Sequence, residues 1–220
     1  MGGFWLTVAL FDLDGTLLDT VPLITSCFQQ MFQKYGKVAI SKESVHAMFG
    51  PGESIIFKRE FGDRWEHVLR DYLDCYNKEH EFLDVEPWMR DILNDLRARG
   101  VPLAIITNKE RDTTTMTLEH VGLSPYFDVI VTAQDVEHPK PSPEGILKVL
   151  KMLGSQKSEA IFIGDTMNDR DAAQASGVKF VQALWYVPKS QWPSNLQWAV
   201  AYSPEDARAV LASHGEAANR

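Results

Sequence analysis

Short apolar runs alternate with amphipathic stretches along most of the chain. Val8-Ala9-Leu10-Phe11, Val101–Ile106, Phe127–Val131, Ala160–Ile163 and Phe180–Leu184 each read as a buried strand, and a last short strand falls near Ala199. Between them lie helical spacings. Pro87 opens one with Met89, Ile92, Leu93 and Leu96 on one face and Gly100 at its end. Another runs from about Asp112 to Val121. A third is capped by Ser142, starts at Pro143 and stops before Gly154; a fourth runs through Ala175 and ends at Gly177. The last is capped by Ser203 and begins at Pro204. Strand–helix alternation of this kind predicts a doubly wound α/β fold, a parallel sheet with helices on both faces.

One block breaks the alternation. Val21 to Tyr35 places Leu23, Ile24, Cys27, Phe28, Met31 and Phe32 at helical spacing. Ser41 caps a short helix through Met48, Gly50-Pro51-Gly52 interrupts it, and Trp65 to Tyr76 forms another amphipathic helix. No strand pattern occurs between Asp19 and Val85, so residues 19–85 are expected to form an inserted α-helical cap on a core of 1–18 and 86–220.

Composition narrows the function classes. In 220 residues, Lys+Arg 22 against Asp+Glu 30 leaves a formal net charge of −8, which argues against nucleic acid or an anionic membrane as partner. An anionic substrate then needs a local cation. Cys27 and Cys75 belong to no Cys-x-x-Cys pair and read as buried free thiols of a reducing compartment. Phe4-Trp5-Leu6 is too short and lacks the basic start of a signal peptide, and no run reaches transmembrane length, so a cytoplasmic location is expected.

The chemistry collects at strand ends. The first strand runs into Asp12-Leu13-Asp14-Gly15-Thr16, the second into Thr107-Asn108-Lys109, and the fourth into Gly164-Asp165-Thr166-Met167-Asn168-Asp169. The exit loop of the third carries Lys140 between prolines. In a parallel sheet these ends share one edge, where open α/β sheets bind ligands. Several carboxylates suit a hard divalent cation, and a lysine with the groups around Thr107 and Asn108 suits a phosphoryl group. A remaining carboxylate can attack phosphorus while a neighbour serves as acid and then base.

The motif Asp12-x-Asp14-Gly15-Thr16, followed in order by the Thr107, Lys140 and Gly164-Asp165 regions, resembles the haloacid dehalogenase superfamily of phosphohydrolases over essentially the whole chain. The resemblance implies a Rossmann-like core with strand order 3-2-1-4-5, and the helical insertion is similar to the cap of phosphoglycolate phosphatase-like members. It implies Asp12 as nucleophile and Asp14 as the acid and base. Thr107 and the Asn108 amide would hold phosphoryl oxygens, and Lys140 would neutralise charge. It further implies Mg²⁺ held by Asp12, the Asp14 backbone carbonyl and Asp165, with Asp169 supporting directly or through water.

The expected function is a Mg²⁺-dependent phosphatase acting on a small phosphorylated metabolite of the phosphoglycolate type, as a monomer or homodimer. Alternatives within the superfamily are a pyrophosphatase, a sugar-phosphate mutase and a phosphonatase. The last needs a cap lysine, for which Lys42 and Lys58 are present, whereas a mutase is disfavoured by the acidic Glu53 after Gly50-Pro51-Gly52. Asp14 argues against true dehalogenases, which lack a second aspartate. A non-enzymatic binding protein is disfavoured because no motif position is lost. His46 and Glu53 near the cap turn are expected mostly at the surface, with contact to substrate as the alternative, and Lys58 and Arg59 are weaker candidates for such contact. The Trp/Pro-rich stretch from Trp185 to Asn195 carries no readable role.

Overall fold

A computed structural model describes residues 8–36, 38–194 and 197–212. Phe4-Trp5-Leu6 and the C-terminal stretch from Gly215 lie outside the described residues. Six parallel strands form one sheet in the order β3-β2-β1-β4-β5-β6. They are β1 Val8–Phe11, β2 Leu103–Ile106, β3 Val129–Val131, β4 Ala160–Gly164, β5 Lys179–Ala183 and β6 Ala199–Ala201. The expected order 3-2-1-4-5 holds and β6 extends it beside β5. The central strand β1 pairs with β2 (Ala9 opposite Leu103) and β4 (Phe11 opposite Ile163).

Alternate side chains of each strand point to opposite faces, and each face is covered. Ala9, Phe11, Leu103, Ile105, Ile161 and Ile163 meet helices α5 (Pro87–Ala98), α6 (Arg111–His120) and α9 (Pro204–Ala212). Val8, Leu10, Ala104, Ile106 and Phe162 meet α7 (Glu144–Leu153) and α8 (Met167–Ser176).

The insertion packs around a core of its own, made by α1 (Val21–Lys34), α2 (Lys42–His46), α3 (Glu53–Phe61) and α4 (Trp65–Glu79). At its centre Phe28, Phe57 and Tyr72 pack together, mostly edge to face, with ring centroids 4.9 to 5.3 Å apart. Fully burying one such ring contributes roughly 1.5–3 kcal/mol. Cys27 and Cys75 are buried free thiols here.

Two expectations need adjustment. Helix α3 has no counterpart among the predicted elements: a single apolar face of Ile56, Phe57 and Phe61, interrupted by Lys58-Arg59-Glu60, is too short to announce itself. The third predicted core helix begins one residue later than expected, with Pro143 as N-cap. Ser142 still accepts the backbone N–H of Glu144 at 3.3 Å. The Trp-rich stretch, of which Asn195 lies outside the described residues, is held at two points: Trp185 donates to the Thr16 carbonyl at 2.9 Å, and Trp192 packs on Tyr202. Among the described residues no helix is long and apolar enough to cross a membrane.

Candidate active site

Asp12 leaves β1 with its backbone N–H still bonded to the Ile163 carbonyl at 2.8 Å, so its position is set by the sheet. Gly15 then turns the chain at φ +78°. A Cβ at Gly15 would stand 2.6 Å from Asp165 Oδ2, so only glycine lets β1 and β4 bring their carboxylates this close. Thr16 donates to Asp165 Oδ1 at 3.2 Å, and Thr20 donates to Asp14 Oδ1 at 2.6 Å.

Oxygen atoms of Asp12, Asp165 and Asp169 come within 4.8 Å of one another. Lys140 reaches into this cluster, 2.7 Å from Asp12 Oδ1, 2.6 Å from Asp169 Oδ1 and 2.8 Å from the Ile106 carbonyl. Burial pushes the Asp12 carboxyl up to about 7; Lys140 opposes that rise and the Asp169 charge adds to it. Burial and the charges of Asp12 and Asp169 likewise hold Asp165 well above the ordinary carboxylate range. Burial works against the charge of Lys140, but its two aspartate partners more than offset this and raise its pKa. Were all three carboxylates ionised, one ammonium would leave two negative charges uncompensated, an excess that a hard divalent cation relieves. The donor set therefore fits a bound divalent metal.

Asp169 is less available than the sequence suggests. Its Oδ1 takes Lys140 and its Oδ2 takes the backbone N–H and hydroxyl of Thr166, at 2.9 and 2.6 Å, in a capping box that starts α8. Oδ2 is thus fully engaged within the protein, while Oδ1 accepts from Lys140 and keeps one lone-pair site toward the carboxylate cluster.

The β2 exit loop lies beside the carboxylates. Thr107 is buried, and its hydroxyl accepts the Lys109 N–H at 3.1 Å. The Asn108 side chain bridges two segments. It donates to the carbonyls of Gly50 and Lys140, both at 2.8 Å, and accepts the Lys140 N–H at 2.9 Å. Its side-chain polar atoms are thus all engaged within the protein. All seven predicted site residues thus converge on one cleft or its immediate support.

The opposite wall belongs to the insertion: Ile24, Phe28, Phe49 and Ile56 with His46 and Glu53. His46 is exposed, as expected, and its Nε2 lies 3.1 Å from the Thr25 hydroxyl. Glu53 is not a surface residue. It is 7 % exposed, and accepts from the Glu110 N–H at 3.2 Å and the Thr113 hydroxyl at 2.8 Å. Glu110 answers by accepting the N–H and hydroxyl of Ser54. Lys42 and Lys58 are exposed and line no part of the cleft, so neither meets the needs of a Schiff-base lysine. Sequence reasoning placed Glu53 mostly at the surface, named Lys109 only as the end of the second strand's polar stretch, and missed Glu110. The signal available was a charged residue directly after a helix-breaking Gly-Pro-Gly and a Lys-Glu pair directly after a strand.

The family model of haloacid dehalogenase-like hydrolases matches residues 9–183, from the middle of β1 to the end of β5. The chain belongs to the haloacid dehalogenase-like hydrolase family. Among relatives of this hydrolase, the pyrophosphatase PpaX of Bacillus pumilus is 36% identical over 83% of this chain and 85% of its own. A phosphoglycolate phosphatase of Pseudomonas syringae pv. syringae is 34% identical over 80% of this chain and 68% of its own. Among solved structures, a subfamily IA hydrolase of the same superfamily from Geobacter sulfurreducens superposes with a TM-score of 0.71 at 26% identity. The match covers 96% of this chain and 98% of that one. A hydrolase from Pseudomonas syringae gives 0.79 at 24% identity, over 96% and 100% of the two chains, and supports the fold.

Proposed function

We propose that this hydrolase is a Mg²⁺-dependent phosphatase that cleaves a small phosphomonoester through an aspartyl-phosphate on Asp12. The observation that carries the reading is Asp12 itself: a buried carboxylate at the end of β1, fixed by Lys140 at 2.7 Å, with Asp14 two residues on at the same cleft. The enzyme class, a phosphatase of the haloacid dehalogenase family, has the support of the family match and of relatives named as phosphatases.

Asp12 attacks phosphorus, and the bond from phosphorus to the leaving oxygen breaks as Asp14 gives that oxygen a proton. Water then attacks the phosphorus of the acyl phosphate, Asp14 takes its proton, and phosphate departs with Asp12 restored. Thr107 and the Asn108 N–H hold phosphoryl oxygens, and Lys140 offsets charge as it builds. Asp12, the Asp14 carbonyl and Asp165 are the groups that would hold the metal, with Asp169 behind Lys140. When bound, the metal supplies positive charge to the phosphoryl oxygens and lowers the repulsion between nucleophile and substrate.

Residues 19–85 act as a cap on a core of 1–18 and 86–220, and the cap selects the leaving group. Its contribution to the cleft is apolar apart from His46 and Glu53, with no arginine or lysine among the lining residues it supplies. That wall suits a compact phosphoglycolate-like ester carrying few charges beyond its phosphate. A second reading, pyrophosphate hydrolysis, draws on the relatives named pyrophosphatase, but the wall offers no cation for a second phosphate.

The test is phosphate release over a panel of phosphoglycolate, pyrophosphate, sugar phosphates and phosphonoacetaldehyde, with and without chelator. Asp12→Asn is expected to abolish turnover while thermal unfolding stays cooperative. Activity surviving that change, or unaffected by chelation, would overturn the mechanism.

A further inference from the structure

A second buried lysine lies outside the mechanism just described. The Lys109 side chain is 1% exposed, and its Nζ sits 3.3 Å from each oxygen of Asp14. Its other neighbours come from the insertion: Glu53 Oε1 at 3.8 Å and the ring of Tyr76, whose centroid is 4.6 Å away. Taking an ammonium out of water costs several kcal/mol unless partners repay it. A lysine balancing Glu53 alone would sit closest to Glu53. Instead it is closer to Asp14 and equidistant from its two oxygens.

The consequence for Asp14 is geometric. Thr20 donates to Oδ1 at 2.6 Å, while Lys109 spans both oxygens and fixes the rotation of the carboxylate about its own axis. Two contacts on Oδ1 and one on Oδ2 leave Oδ2 the less encumbered oxygen for a proton transfer. Glu53 is itself tied to the start of α6 through Glu110 and Thr113. Tyr76 is fully buried, with its hydroxyl 3.0 Å from that of Thr117. The lysine is thus seated by groups of the insertion and acts on a group of the core.

We infer that Lys109 is a positioning residue for the acid–base step, orienting the Asp14 carboxylate from a seat that the helical insertion builds. The inference rests on the phosphatase reading and on Asp14 as the proton carrier. A misplacement of a proton-transfer group by about 1 Å costs on the order of 10²-fold in rate.

The test is a double-mutant cycle on phosphate release from 4-nitrophenyl phosphate. Its activated leaving group removes the demand on Asp14 as acid, so that steady-state kcat reads its role as base, with enzyme concentration raised to measure the slow Asp14→Asn background. Lys109→Met alone is expected to lower kcat on the order of 10²-fold, with KM changed far less. In the Asp14→Asn background the same substitution should lower kcat by less than about threefold, because the group it positions is no longer functional. Equal losses in both backgrounds, or no loss beside wild type, would overturn the inference and leave the phosphatase reading intact. Absence of phosphate release by the wild-type protein over the whole panel would overturn both. Should Lys109→Met fail to fold, Lys109→Gln, which keeps a donor without the charge, takes its place in the same cycle.

Discussion

Lys140 and Asp169 meet at 2.6 Å, with the Lys140 side chain 5% exposed and that of Asp169 not exposed at all. The lysine is therefore a shared cation, divided between a carboxylate of α8 and the proposed nucleophile of β1.

Replacing Lys140 by Met, of similar length and no charge, leaves three carboxylates, two of them buried, facing one another. Breaking a buried ion pair by removing one partner costs about 3–5 kcal/mol. The variant should unfold at a lower temperature than wild type, recover part of that loss in millimolar Mg²⁺, and release phosphate at a rate reduced at least a hundredfold or so. Thermal unfolding with and without the metal, alongside turnover, checks all three.

Asp165→Asn and Asp169→Asn should differ. Both oxygens of Asp169 are engaged inside the protein, so its substitution is expected to lower turnover strongly while changing Mg²⁺ affinity by no more than about tenfold, the smaller loss typical of supporting partners. Asp165→Asn should lower that affinity by considerably more. Titration calorimetry on the two variants decides; equal losses would make Asp169 a direct ligand.

The Asp12 carboxyl, raised from 3.8 to about 7 by burial, sets a pH dependence. With its folded-state value above its unfolded one, the metal-free protein binds this proton more tightly when folded. Asp12 then contributes stability that is present at low pH and lost as pH rises through 7. Metal binding needs the ionised form and runs the other way. Mg²⁺ affinity should fall by about tenfold per pH unit below 7, and the metal-induced rise in unfolding temperature should be larger at pH 8 than at pH 5.5.

Gly164 ends β4 where a Cβ would lie 2.5 Å from the Cβ and Cγ of Asp169. Gly164→Ala must push α8 away from the strand, and overpacking of this kind costs about 1–3 kcal/mol or more. Because Asp169 moves with α8, the variant should lose turnover beyond what its stability explains. The comparison of unfolding midpoint with kcat at a temperature where it is fully folded shows this.

Much of this was legible in the sequence because buried parallel strands are apolar runs with polar ends. The end of each run marked the place where Asp12, Thr107 and Asp165 meet. Helix termini followed from Gly154, Gly177 and Ser203, where the chain does adopt left-handed glycines or a side-chain cap. Helix α3 escaped because nine residues with three buried apolar side chains make a weak period. The Lys109–Asp14 and Glu53–Glu110 contacts escaped for another reason. Charged residues 57 and 95 positions apart carry no local pattern, and each alone is indistinguishable from a solvated surface charge. Asp169 was ambiguous because Thr166-x-x-Asp169 reads both as a helix-starting box and as part of an acidic cluster, and in the fold it is both.

The bond from the Asn108 side chain to the Gly50 carbonyl bears on how such enzymes can be recombined. Asn108 is the same residue that braces Lys140 from both sides. Excising residues 19–85 to make a minimal phosphatase would remove one of its three anchors and expose the buried ends of Glu110 and Thr113. A chimera carrying a foreign insertion would inherit the same defect unless the donor brings a carbonyl to Asn108 and a carboxylate to the start of α6. Exchange of insertions between relatives is thus expected to succeed only when the loop after β2 travels with them.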